Sequence, residues 1–399
     1  MSITLVLHEA TRTGAPRVGG LIAKELAKEL AKAEDVHVIV LKDGPLTPWL
    51  RDLLGDERLT VLDGAEFEFR VPFEERLAAA AALLEKRPDD LVYVNSLAAS
   101  VFVLAAKAAG RRAVIHVHEK ADEIVHLMRH VLTKIEVMSV ADGAVLAAGD
   151  LFRDVLDVFG MIPAKTVDFG IAIDIDAVRE QAAETPTPAL NAAGEPFAKG
   201  ERLVVGMCGH ASPRKGSDIF LGVAEAAPDC DFLWVGGWSP EESIENLAYE
   251  DFVAKKPPNL YVAGAVDNPY AHIGQMDLFF LSSREDPNPL VLAEAMALRV
   301  PLLCFSKTTA VANRLGRSAI LCHGLPNVED ATRVIKACAP EHLRSEAFRA
   351  LSDPWISSFD LKEKMRDIMD LIENIRAADE ALSLEISAEV EIAAADSAS

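Results

Sequence analysis

Two acids separated by seven residues, Asp286 and Glu294, mark the stretch of this sequence with the most chemical content. From Phe279 to Ala297 it reads as an apolar strand (Phe279-Phe280-Leu281), a Pro-bearing turn (Ser282 to Pro289), and a helix opening at about Pro289 or Leu290. The first N–H groups of a helix have no intrahelical partner and carry the positive end of its dipole, so such a turn can cradle a diphosphate. Asp286 stands in the turn. Glu294 lies about one turn into the helix, where it can point back toward the strand ends. Ligands of open α/β sheets bind beyond those ends, and two carboxylates there suit the hydroxyls of a sugar and of a ribose. A second group, Arg214-Lys215-Gly216, follows the strand Leu203–Cys208 through Gly209-His210-Ala211-Ser212-Pro213. Two cations on a loop at a strand's end are natural partners for a departing diphosphate.

These side chains need strands and helices in alternation to hold them, and the sequence supplies that pattern twice. In the first half, strand-like runs stand at Ile3–Leu7, Val36–Leu41, Leu59–Leu62, Leu91–Val94, Ala113–Val117, Ala144–Ala147 and Thr166–Phe169. The segment from Leu21 to Leu30 between the first two is rich in Ala, Leu, Lys and Glu at helical spacing. The pattern pauses over the Pro- and Ala-rich segment Glu184–Gly200 and resumes at Leu203–Cys208, Phe232–Val235, Leu260–Val262, Leu278–Leu281, Leu302–Phe305 and Ala319–Cys322. Such alternation builds β-α units around mostly parallel sheets. The expected organisation is an N-terminal Rossmann-like domain over 1–170, a linker and hinge over 171–200 and a C-terminal Rossmann-like domain over 201–345. Helices over 346–376 are expected to return toward the first domain. The last segment, 377–399, carries six acids and no Lys or Arg, the composition of a disordered tail.

Composition narrows the function further. The chain has 399 residues, with 40 Lys plus Arg against 62 Asp plus Glu, a formal charge of −22. That excess argues against nucleic acid as a partner, because such binding draws on neutralised phosphates. It also limits membrane contact to a peripheral one. Five cysteines without a Cys-x-x-Cys pair fit a reducing compartment. Met1 leads at once into Ile3–Leu7 with no basic segment before it, and no apolar run reaches spanning length, so a cytoplasmic protein is expected.

The motifs in order, Gly-x-x-x-Pro-Arg-Lys-Gly (209–216), Asn259-Leu260-Tyr261-Val262-Ala263-Gly264, then Ser-Arg-Glu-Asp-Pro-Asn-Pro-Leu-Val-Leu-Ala-Glu-Ala-Met-Ala (283–297), strongly resemble the retaining nucleotide-sugar glycosyltransferases of family 4. The resemblance covers roughly residues 1–340 and is strongest over 203–305. It implies the GT-B fold, two facing Rossmann-like domains with a cleft between them. It implies transfer of a sugar from a nucleotide diphosphate donor to a hydroxyl acceptor with retention, the acceptor being a glycan or lipid-linked glycan at the inner face of the cytoplasmic membrane. No cofactor beyond the donor and no metal is implied. By resemblance Glu294 holds the ribose and Asp286 the transferred sugar. The backbone of Asn288, Pro289, Leu290 and Val291 holds the phosphates, and Lys215 with Arg214 stabilises the leaving diphosphate. Gly14, in His8-Glu9-Ala10-Thr11-Arg12-Thr13-Gly14, resembles the family's first loop facing the donor phosphates. His118, after the strand that ends in His116-Val117, stands where the family places a histidine near the reaction centre.

Other patterns read differently. Asp174-Ile175-Asp176 follows the interdomain connection, as a helix-start acid pair would, and His126 with His130 reads as a helix-surface pair. No Gly-x-Gly-x-x-Gly or Gly-x-Ser-x-Gly supports a dinucleotide oxidoreductase or a hydrolase. Two positions depart from the resemblance. His210 stands where many relatives have Arg, and Arg299 where they often have Gly, at an expected helix end. These departures keep open a catalytically silent GT-B regulatory protein that binds nucleotide, and a GT-B nucleotide-sugar epimerase is a further alternative.

Overall fold

The computed structural model describes residues 2–29, 36–87, 91–148, 151–237, 244–286, 288–309, 311 and 314–378. The chain divides into two units, Met1–Gly170 with the chain from Lys362 onward, and Ile171–Leu361. Each is built on one parallel sheet.

In the first unit seven strands, β1 (Ile3–Leu7), β2 (Val36–Val40), β3 (Leu59–Val61), β4 (Leu91–Asn95), β5 (Arg112–Val117), β6 (Gly143–Leu146) and β7 (Thr166–Asp168), lie in the order β3-β2-β1-β4-β5-β6-β7. Ile3 pairs with Val36 on one side and Leu91 on the other, so β1 is central. Every residue of β1, β2 and β4 is buried. Crossover helices cover both faces of a parallel sheet, which is why these strands are continuous apolar runs and do not alternate. Each fully buried Val, Leu or Ile contributes about 1.5–3 kcal/mol. The helix Gly14–Glu29 leaves β1 with two glycines on its inner side. A Cβ at Gly19 would stand 2.4 Å from Leu7 Cδ2 and 2.8 Å from Asn95 Nδ2.

The second unit has six strands, β8 (Val204–Cys208), β9 (Asp231–Val235), β10 (Leu260–Gly264), β11 (Leu278–Leu281), β12 (Leu302–Phe305) and β13 (Ala319–Cys322), in the order β10-β9-β8-β11-β12-β13. Phe220, Trp234, Phe280 and Phe305 form an aromatic core with centroid separations of 5.2 to 6.1 Å. Asp277, fully buried at the head of β11, accepts from the Val204 N–H, Lys199 and Arg344. Burial works to raise its pKa, yet the hydrogen bonds from Arg344, Lys199 and Val204 outweigh that and lower it. In both sheets the strand order reverses at one place, between β1 and β4 and between β8 and β11, and there the crevice for a ligand opens.

The segment 171–200, expected as a linker, is instead part of the second unit. Asp174 caps the helix Ile175–Ala182 by accepting from the Ala177 N–H, Arg179 of that helix donates to the Ala297 carbonyl, and Leu190 bridges to Val262 of β10. The second unit also extends past 345, because Arg299 pairs with Glu346 and Asp353. The chain from 362 belongs to the first unit. There Leu371 and Ile375 pack on Gly143, and Lys165 Nζ donates to the Asn374 carbonyl at 2.6 Å. The helix over 361–378 runs two residues into the segment expected as a tail; 379–399 lies outside the described residues. No helix of the described residues is long and apolar enough to cross a membrane.

Candidate functional site

At the β8/β11 crevice the two chemical stretches of the sequence meet. Gly216 starts the contact. It sits at φ 68°, as the cap of the helix Ser217–Ala226, and a Cβ there would lie 2.1 Å from the Ser282 carbonyl oxygen. Only glycine meets both demands. With the loops this close, Ser282 Oγ donates to the Lys215 carbonyl (2.9 Å), the Arg284 N–H to the Arg214 carbonyl (2.8 Å), and Arg284 pairs with Asp218. From the other side Thr308, after β12, accepts from the Asp286 N–H and donates to the Ser283 carbonyl. Asp286 is thereby fixed from two neighbouring strands.

Lys215 Nζ lies 2.5 Å from Asp286 Oδ2, with the two side chains 15% and 8% exposed. Ser283 Oγ donates to the same carboxylate oxygen at 3.3 Å. The expected leaving-group cation and the expected sugar acid are thus an ion pair. Arg214, expected as a second cation, is exposed and donates to the Glu285 carbonyl at 3.1 Å. It stands at the rim. His210 is exposed.

The helix Leu290–Ala297 begins after Pro289 with no side-chain cap, so its first N–H groups are left to the loop side. Asn288 is half-buried and Pro289, Leu290 and Val291 are buried. Glu294 is buried at 2% exposure and accepts from Tyr270 Oη at 3.1 Å. Leaving a buried carboxylate without a donor is costly, and the phenol supplies one. Tyr270, the partner of Glu294, was not singled out in the sequence. The signal was Asn268, whose carbonyl oxygen accepts from the Tyr270 and Ala271 N–H groups and starts the short helix Tyr270–Ile273.

Arg299 occupies φ 56°, the left-handed conformation at a helix end that glycine ordinarily supplies. Its guanidinium pairs with Asp353 and Glu346.

The first unit has its own cluster at the β1/β4 crevice. Gly14 is the first residue of its helix, and a Cβ there would meet nothing within 4 Å, so the space before it is open. His118 is half-buried and its Nε2 lies 2.9 Å from Asn95 Oδ1. Its ring stacks on that of His116 at 4.1 Å, and the fully buried His116 meets Tyr93 Oη at 2.9 Å. Burial, then the neighbouring His8, pulls the His118 pKa down to about 3. Burial, then His118, holds His116 well below its ordinary value. Both imidazoles are neutral at physiological pH. Glu119, missed by the sequence reading, accepts from the Leu97 and His118 N–H groups (each 2.9 Å) and from Ser96 Oγ.

His126 and His130 are exposed on and just after the helix Ala121–Arg129, with ring centroids 4.5 Å apart. Among the described residues no group of three or more His, Cys, Asp or Glu is placed to hold a metal ion.

Comparison with known proteins bears on the second crevice. The family described as "Glycosyl transferases group 1" matches residues 202–338. The match contains the whole Lys215–Asp286–Glu294 site. An alpha-galactosylglucosyldiacylglycerol synthase of Streptococcus pneumoniae is 31% identical over 104 residues, which are 25% of this chain and 28% of that protein's length. Among solved structures, Anabaena HepE in complex with UDP superposes with a TM-score of 0.72 at 17% identity, covering 94% of this chain and 100% of that one. Sucrose-phosphate synthase of Thermosynechococcus elongatus does so with a TM-score of 0.67 at 14% identity, covering 95% and 100%. The fold is that of the GT-B glycosyltransferase structures, with two Rossmann-like parallel-sheet domains.

Proposed function

We propose that this protein is a glycosyltransferase that moves a sugar from a nucleotide diphosphate donor to a hydroxyl acceptor with retention of configuration. The observation that carries the reading is the Lys215–Asp286 pair, held at the strand-order reversal of the second sheet beside an uncapped helix start and a buried Glu294. In this reading the β-phosphate takes Lys215 from Asp286, and the helix N–H groups at Leu290 and Val291 take the remaining phosphate charge. Asp286, released, accepts from hydroxyls of the sugar. The bond from the anomeric carbon to the diphosphate oxygen breaks and that carbon joins the acceptor oxygen on the same face. The acceptor proton leaves with the diphosphate or solvent. Glu294 exchanges the Tyr270 hydroxyl for ribose hydroxyls. His118, being neutral, acts on the sugar by hydrogen bonding and carries no charge.

HepE is described with UDP and with UDP and glucose, which makes a uridine donor the first to test. The pneumococcal relative is named for a glycolipid product, which favours a lipid-linked acceptor. A second reading, nucleotide binding without transfer, is favoured by exposed His210 and by Arg214 being engaged by the Glu285 carbonyl. Incubation with UDP-sugars and glycolipid acceptors, with products followed by anomeric proton NMR, separates the readings. A product of retained configuration is expected, formed with chelator present. An inverted product, an epimerised donor, or tight UDP binding with neither hydrolysis nor transfer would each overturn the proposal.

A further inference from the structure

We propose that Asn95 is a positioning residue for His118, fixing which ring nitrogen carries the proton and which one is offered to a ligand. Asn95 ends β4 at the strand-order reversal, paired with Leu7 of β1 and His116 of β5, and is fully buried. Its amide orientation is set by the helix Gly14–Glu29, where Nδ2 donates to the Ala15 carbonyl at 2.8 Å. The amide oxygen therefore faces His118. A ring nitrogen 2.9 Å from that oxygen must be the donor, so Nε2 carries the proton and Nδ1 keeps its lone pair. No side chain fits at Gly19, where a Cβ would stand 2.8 Å from Asn95 Nδ2, so the amide is seated against the helix backbone.

A second set of bonds fixes the backbone of the same histidine. Glu119 Oε2 takes the His118 N–H, while Oε1 takes the Leu97 N–H and the Ser96 hydroxyl. Ser96 directly follows Asn95 and holds φ 110°, a conformation that residues with a Cβ rarely adopt. Strain of this kind persists where surrounding bonds over-determine it, and here those bonds join the end of β4 to the end of β5. The ring is also stacked on His116. The titratable groups around it are His8 after β1, Tyr93 on β4, His116 on β5 and Glu119. Since burial and His8 keep the imidazole neutral, the choice of tautomer decides what it can do.

This inference rests on the reading that His118 acts on the donor sugar, and the test separates the two. The full chain, labelled with ¹⁵N-histidine, is compared as wild type, Asn95→Ala, Asn95→Asp and His118→Gln, the last assigning the His118 signals among the ten histidines. Wild type is expected to show the Nε2–H tautomer. Asn95→Ala should give mixed tautomers, with kcat for the UDP-sugar reduced by roughly 10- to 100-fold, as for a displaced catalytic group, and KM for the donor within a few-fold. In Asn95→Asp a carboxylate faces the ring, and the His118 pKa should rise by about one to three pH units. A wild-type ring protonated on Nδ1, or a tautomer unchanged in Asn95→Ala, overturns the proposal. So does a shifted tautomer with unchanged kcat. Full turnover in His118→Gln fails the underlying reading instead, and that variant alone reports it.

Discussion

Replacing Asp286 with Asn should tighten the binding of bare UDP, the opposite of what loss of a binding-site residue usually does. In the unliganded protein Lys215 is held 2.5 Å from Asp286, and a diphosphate must take the ammonium away from the carboxylate. Exposed pairs contribute up to about 1 kcal/mol, whereas breaking a fully buried pair costs about 3–5 kcal/mol. With side chains 15% and 8% exposed, this pair lies between the limits. Since the amide still accepts a hydrogen bond, freeing the ammonium is worth about 1–2 kcal/mol, or roughly 5- to 30-fold in Kd. Lys215→Ala should weaken UDP by roughly 10-fold or more and lower transfer by about 10²-fold, as when a donor to developing charge is lost. Calorimetric titration of wild type, both variants and the double variant with UDP and UDP-glucose gives eight affinities. Asp286→Asn should gain for UDP but not for UDP-glucose, where the lost contact to the sugar offsets the freed cation. In the Lys215→Ala background it should change UDP affinity by less than about two-fold, because the gain acts through the ammonium. If Asp286→Asn weakens UDP with Lys215 present, the pair is not the gate that the geometry describes.

Three further outcomes follow from the same structure. Glu294→Gln should weaken UDP and UDP-glucose alike by about 10- to 100-fold, since hydrogen bonds to a charged group are worth about 1.5–3 kcal/mol; Tyr270→Phe should cost no more than a few-fold, and unchanged UDP affinity in Glu294→Gln would refute the ribose role. Gly216→Ala should destabilise the protein by about 3 kcal/mol or more in urea unfolding, through the 2.1 Å encounter with Ser282 and the left-handed φ; a loss below about 1 kcal/mol would show that the two loops are not locked as described. Because the His118 pKa falls to about 3 on folding, the unfolded chain takes up a proton below about pH 6.5 that the folded chain refuses, so stability is full above that pH and falls toward pH 3. Between pH 6.5 and 5 this removes about 2 kcal/mol, which His118→Gln should abolish; equal slopes of urea stability against pH in both proteins would contradict it.

All thirteen strands were legible in the sequence to within a residue or two. The central ones, buried on both faces, are unbroken apolar runs that need little context, and the partly exposed edge strands β3, β7, β10 and β13 were marked by their place in the alternation with helical stretches. The Lys215 loop and the Asp286–Glu294 turn were legible too, each being a local pattern of charge, glycine and proline. Their pairing was not. It depends on β8 and β11 being neighbours, which the strand order decides and no spacing of 71 residues reveals. The same reason hid Asn95, Ser96 and Glu119, ordinary polar residues until β4 and β5 lie side by side. The grouping of 171–200 with the second unit was not legible for a different cause. Proline and alanine without a period mark an irregular chain, but irregular chain can still be held firmly: Ala189 and Asn191 are buried, Asn191 donates to the Pro258 carbonyl, and Leu190 bridges to Val262 through its backbone.

Arg299 shows how a departure from a resemblance can be resolved by structure. An arginine in a left-handed helix end carries a backbone cost that glycine avoids, and from sequence alone it left a catalytically silent protein open as an alternative. The guanidinium pairs with Asp353 and Glu346 at the end of the helix Leu290–Ala297. The left-handed turn is therefore formed without glycine, and Lys215, Asp286 and Glu294 are all present beside it. At 210 the change is one of charge, and Arg214 is directed to the Glu285 carbonyl at the rim. Of the two departures, only the one at 210 changes the charge beside the β8/β11 crevice, and under the proposed function it leaves Lys215 as the cation to test first.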